Sequence, residues 1–201
     1  MAVVGNINDY MRMRRGEASL TQNLSLPSNA HNILNEIRSV EDVIARAEQE
    51  SITLIPFDIE GFVLLFGIII KPDMNMDIET SGYVTFDNTQ KQWIIGVNDS
   101  QSSTRRRFTI AHELAHIILH GNLILSEGIH RDKGLFRDAD YMSAIEKEAN
   151  DFAGKLLMPE NKILELVQNG TKKSDLLAAI FDVSQSAIKY RLNQCGLSWI
   201  K

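Results

Sequence analysis

Apolar positions along this chain fall into a few clear rhythms. Ile33, Leu34, Ile37, Val40, Val43, Ile44 and Ala47 follow one face of a helix, preceded by a capping signal at Pro27-Ser28-Asn29 and broken near Ser39. Pro56-Phe57-Asp58 starts a second, short helix carrying Phe62, Leu64 and Leu65 toward Gly67. Ile68-Ile69-Ile70 reads as a buried strand that ends at Lys71-Pro72-Asp73. The alternation Gly82-Tyr83-Val84-Thr85-Phe86, the turn Asp87-Asn88-Thr89-Gln90 and the return Trp93-Ile94-Ile95-Gly96-Val97 predict a hairpin.

Residues 98–103 form a polar loop, and Ser103 or Thr104 is expected to cap a helix beginning near Arg105. Beyond Gly121, residues 122–139 show no period. A second strong helix is predicted over residues 144–157, stopped by Met158-Pro159, with two or three short helices over residues 161–194. Helices, a small antiparallel sheet, then helices again indicate an α+β fold.

Composition changes this picture little. The chain has 201 residues, 44 % hydrophobic and 23 % charged, the balance of a globular protein. Its net charge of −5 argues against a chain whose main work is wrapping nucleic acid. A single cysteine, Cys195, excludes an intramolecular disulfide and a Cys-rich zinc ribbon. Residues 1–22 lack the apolar core of a signal peptide, and the most apolar run, residues 62–70, is about half of a spanning helix. The expectation is a cytoplasmic protein with no membrane segment. Residues 1–28 have no sustained period and are expected to form a mobile arm.

The chemistry lies in Arg107-Phe108-Thr109-Ile110-Ala111-His112-Glu113-Leu114-Ala115-His116. His112 and His116 are four residues apart, so both rings leave one helix face about one turn apart. Two imidazoles so placed suit a single zinc ion, and Glu113, at the flank of the pair, suits the base that activates water. A catalytic zinc needs a third protein ligand. His120 lies a further turn on and reads as packing or support. The second strong helix offers Glu146, Glu148 and Asn150. Glu146 and Asn150 share a face, so one can bind metal while the other orients a ligand imidazole. Glu148 projects about 200° away from Glu146, and the carboxylate left over reads as solvated surface.

This motif, followed by Glu146-x-Glu148-Ala149-Asn150-x-Phe152-Ala153-x-x-Leu156-Leu157-Met158-Pro159, resembles the ImmA/IrrE family of metallopeptidases. The resemblance extends through Pro56-Phe57-Asp58, Gly67-Ile68, Ser81-Gly82, Ile95-x-Val97-Asn98 and Arg191-Leu192, covering about residues 38–197. It implies a gluzincin-like site: His112, His116 and Glu146 as Zn2+ ligands, Glu113 as base, and Asn150 supporting a ligand histidine. Beyond the aperiodic arm over residues 1–28, it implies a zincin-like metallopeptidase domain over 29–160 and a C-terminal helical segment, 161–201, that closes the fold. Ala115 stands where the family usually has Gly, and residues 117–145 form a long insert.

Residues 176–188 have the rhythm of a helix-turn-helix, yet Asp182 holds the turn position usually given to Gly, and nearby basic residues are few (Lys172, Lys173, Lys189, Arg191). Direct nucleic-acid binding is therefore disfavoured. Arg105-Arg106-Arg107 at a helix start opposes the helix dipole and calls for carboxylate partners or structural ion pairs. The resemblance implies a zinc endopeptidase that cleaves a helix-turn-helix transcriptional repressor. The alternative is a non-proteolytic partner, or the toxin of a toxin–antitoxin pair, bound to such a regulator. Oligomeric state is not legible.

Overall fold

The computed structural model describes residues 33–127 and 139–200. The expected arm, the Ser28–Asn29 cap and residues 128–138 of the insert lie outside them. Among the described residues the order is α1 (Ile33–Glu36), α2 (Val40–Gln49), α3 (Ile59–Leu65), β1 (Ile69–Asp73), β2 (Gly82–Asp87), β3 (Gln92–Asn98), α4 (Ser103–Glu127), α5 (Ala139–Leu157), α6 (Glu160–Gln168), α7 (Ser174–Phe181) and α8 (Gln185–Gln194). The fold is α+β.

The break near Ser39 has a local cause. The Ser39 hydroxyl accepts from the Asp42 amide, and the Asp42 carboxylate accepts from the Ser39 amide, a reciprocal cap at the start of α2. Asp58 caps α3 from one side only, its carboxylate accepting from the Gly61 amide. The rings of Phe57, Phe62 and Phe66 follow one another in tilted contact, with centroids 5.8 and 5.3 Å apart.

The sheet is mixed, which corrects the antiparallel expectation for one strand. β2 and β3 form the antiparallel hairpin, whereas β1 pairs with β3 in parallel, giving the order β1-β3-β2. β1 also runs through Lys71-Pro72-Asp73 rather than ending there. Pro72 is tolerated because β1 is an edge strand. β3 is central and almost wholly buried, and Trp93 meets Phe86 edge-on at 5.0 Å.

A parallel β1 forces the chain to cross the end of β3 before β2 begins. Buried Asn98 holds that crossover. Its Nδ2 donates to the carbonyls of Asp77 and Thr80 at 3.2 and 2.8 Å, and its backbone amide donates to Ser81. Its Oδ1 accepts from the amide and hydroxyl of Ser100. Ser81 and Gly82 are thereby fixed beside α4.

α4 begins at Ser103, with the Ser102 hydroxyl accepting from the Arg105 amide, so the cap lies one residue before the expected pair. It continues past Gly121 to Glu127, where a non-periodic segment was expected from Asn122. Burial of Gly121 and Ile124 outweighs the roughly 1 kcal/mol helix penalty of glycine. α4 is long and apolar enough to cross a membrane, but 61 % of its apolar window is buried in the fold. α4 packs most extensively on α5, and Ala111, Ala115, Ala149 and Ala153 are all fully buried.

Candidate metal centre

Three arginines open α4, and each is held in a different direction. Arg105 donates to the Ser81 hydroxyl through Nε and Nη2 at 3.2 and 2.9 Å. Arg106 Nη1 pairs with Asp99 Oδ1 at 2.8 Å. Arg107 donates to Asp182 and to the carbonyl of Phe57. These bonds offset the poor fit of positive charge to a helix N-terminus, and they fix the height of α4 against β2 and the C-terminal helices.

One turn further on, α4 presents His112 and His116. Their Nε2 atoms lie 3.0 Å apart, with ring planes crossed at 79°. His116 is buried, and His112 stacks on Phe108. α5 brings Glu146 between them: Oε2 lies 3.1 Å from His112 Nε2 and Oε1 3.3 Å from His116 Nε2. Ligand atoms of all three residues lie within 4.8 Å of one another. A tetrahedral zinc ion with bonds of about 2.0–2.1 Å holds its donors about 3.3 Å apart. Two imidazole nitrogens and one carboxylate at these separations fit such an ion in both chemistry and spacing.

Glu113 is 7 % exposed and opens onto a cleft of about 180 Å³ lined by Ser81, Gly82, Arg105, Phe108, Thr109, His112, Glu113, Glu146 and Asn150. The cleft is shaped by a close approach of strand to helix. A Cβ on Gly82 would lie 2.4 Å from Thr109 Cγ2 and 2.6 Å from the Gly96 carbonyl oxygen. Glycine at position 82 lets β2 lie against α4 beside Glu113.

The structure therefore brings His112, Glu113, Glu146 and Asn150 to one cleft, with buried His116 meeting His112 and Glu146 behind it. Asn150 stands exposed on its wall. The second ring nitrogen of His116 faces a residue other than Asn150. His116 Nδ1 lies 3.3 Å from His120 Nδ1, and His120 Nε2 lies 3.0 Å from Glu148 Oε2. Glu148, expected as plain solvated surface, is 63 % exposed yet paired. Arg105, Phe108 and Thr109 were given no part in a cleft by the sequence reading, although their i, i+3 and i+4 spacing ahead of His112 places them on the ligand face.

Comparison with known proteins agrees with this geometry. Residues 68–193 match the family model Peptidase M78, the IrrE N-terminal-like domain. The radiation response metalloprotease IrrE of Deinococcus radiodurans is 32 % identical over 104 residues, 50 % of this chain and 31 % of the relative. The match thus spans about a third of that relative's length. A Mycobacterium tuberculosis transcriptional regulator is similar in fold, with a TM-score of 0.54 at 24 % identity over 82 % of this chain and 49 % of its own.

Proposed function

Since the chain belongs to the Peptidase M78 family, that of the IrrE N-terminal-like domain, we propose that it is a zinc-dependent endopeptidase. The carrying observation is the convergence of His112 Nε2, His116 Nε2 and the Glu146 carboxylate at 3.0–3.3 Å, with Glu113 opening on the same cleft. On this reading His112, His116 and Glu146 hold the metal. When bound, zinc supplies a Lewis acid that polarises a peptide carbonyl and acidifies water. Glu113 takes a proton from the attacking water and passes it to the leaving amine as the carbon–nitrogen bond breaks. Its burial keeps that carboxylate close to the reacting atoms and away from bulk solvent. Arg105 and Asn150 offer donors to substrate carbonyls along the cleft walls.

The substrate we assign is a helix-turn-helix transcriptional regulator, cut in the cytoplasm to release its genes. This follows from the ImmA/IrrE resemblance. The test is co-expression with such a regulator, read by mass spectrometry. Fragments with the wild type and none with Glu113→Gln are expected. An intact regulator that co-purifies with both forms would replace peptidase activity with the binding or toxin reading.

A further inference from the structure

We infer that His120 and Glu148 are positioning residues for the metal site, a relay that sets the tautomer and tilt of His116. The inference rests on the zinc reading above and deepens it. His116 turns Nε2 toward His112 and Glu146 and Nδ1 toward His120 Nδ1, 3.3 Å away. Two ring nitrogens in contact share one proton, so one donates and the other accepts. A ligand histidine needs its Nε2 lone pair free for the ion, which puts its proton on Nδ1. His116 is then the donor and His120 Nδ1 the acceptor. Neutral His120 must carry its own proton on Nε2, which faces Glu148 Oε2 at 3.0 Å. A carboxylate only accepts, so the series ends with every atom in a consistent role.

With both rings neutral, the reverse order fails at the same end. With the His116 proton on Nε2, neutral His120 would have to donate from Nδ1. Its Nε2 lone pair would then face a carboxylate oxygen. Glu148 thereby selects the metal-ready tautomer of a residue it does not touch. The helices make this register available: His120 follows His116 by one turn of α4, and Glu148 follows Glu146 by two residues on α5.

Glu148 is largely exposed, and an exposed charge pair contributes little to the fold, so its substitution separates orientation from stability. Zinc affinity of the full chain is measured by competition with a chromophoric chelator at fixed pH. Loss of a partner that orients a ligand histidine typically weakens metal binding about 10–100-fold. We expect His120→Ala in that range, and Glu148→Ala about tenfold weaker than wild type with the melting temperature of the metal-free protein unchanged. Glu148→Gln, whose amide oxygen still accepts, recovers most of the affinity. Because the relay acts in series, His120→Ala/Glu148→Ala is no weaker than His120→Ala alone. Imidazole nitrogen shifts are expected to place the His120 proton on Nε2 in the wild type and to move it in Glu148→Ala. Wild-type affinity in Glu148→Ala, or losses that add in the double variant, overturns the relay while leaving the zinc site standing. A wild type that binds no zinc overturns the site itself, and the relay with it.

Discussion

Arg107 and Asp182, 75 positions apart, are joined twice: Arg107 Nε lies 3.1 Å from the Asp182 carboxylate and 3.2 Å from its carbonyl oxygen. Nη2 of the same guanidinium reaches the Phe57 carbonyl at 3.0 Å. Asp182 sits at φ +51°, a left-handed position rare for residues with a side chain. One arginine, five residues before His112, thus ties α4 to the turn between α7 and α8 and to the entry of α3. Arg191 makes a parallel tie from α8. It is 5 % exposed and donates from Nε to the Met158 carbonyl, which withdraws it from any phosphate.

Arg107→Met should lower stability by about 2–3 kcal/mol, since it leaves half-buried acceptors without a charged donor. Arg107→Lys should recover only part, because an ammonium cannot fork to three acceptors. Urea unfolding measures both. A loss under about 0.5 kcal/mol would mean that water replaces the arginine readily.

Gly82→Ala is expected to cost about 1–3 kcal/mol as its methyl meets Thr109 and the Gly96 carbonyl. Gly154→Ala should do the opposite. No neighbour lies within 4 Å of its added Cβ, and within α5 alanine is favoured by about 1 kcal/mol. Thermal melts of the two variants should shift in opposite directions.

Asn98→Asp should destabilise more than Asn98→Ala. The Ser100 amide fixes Oδ1 as acceptor, so Asp would turn its second oxygen toward the carbonyls of Asp77 and Thr80. Two acceptors facing a third in a buried site cost more than an unfilled one. Denaturation midpoints of the two variants give the order, and equal midpoints would show that the crossover loop moves aside.

Chelation should lower the melting temperature of the wild type and of Glu113→Gln alike, while His112→Ala and Glu146→Ala respond little. At free zinc a thousandfold above Kd, binding adds about 4 kcal/mol. A chelator response equal in all four forms would place the metal elsewhere.

The start of α2 should loosen in acid. The Arg38 amide and then the Ser39 hydroxyl and amide hold the Asp42 carboxyl below its ordinary value of 3.8. A depressed carboxylate adds stability that is complete above that value and is lost as pH falls toward the folded one. The protection factor of the Asp42 amide, its exchange rate relative to the intrinsic rate at each pH, should therefore fall below about pH 4 in the wild type, but stay flat in Asp42→Asn.

Features written in local spacing were legible in the chain: the His112–His116 pair, the Glu146 helix, the β2–β3 hairpin, and the break near Ser39. Features set by distant partners were not. The parallel pairing of β1 depends on a crossover that Asn98 secures 25 residues later. The Pro72 signal was over-read, because proline ends only strands that need its amide. Gly121 looked like a stop because its cost is local, while burial of Ile124 that overrides it is tertiary. The His120–Glu148 pair spans 28 positions and depends on which nitrogen holds a proton, which no spacing records.

β2 is hydrogen-bonded on one side only among the described residues, and its first residue, Gly82, lines the cleft with Ser81. A polypeptide that pairs with such an edge must itself be extended. On the proposed function, a folded target is cut only when a segment comes undone, so each ~1.4 kcal/mol by which the target resists opening slows cleavage about tenfold. Anything that binds the closed target, such as its own operator, shields it further. On that function, the clock for cleavage resides in the substrate's own stability.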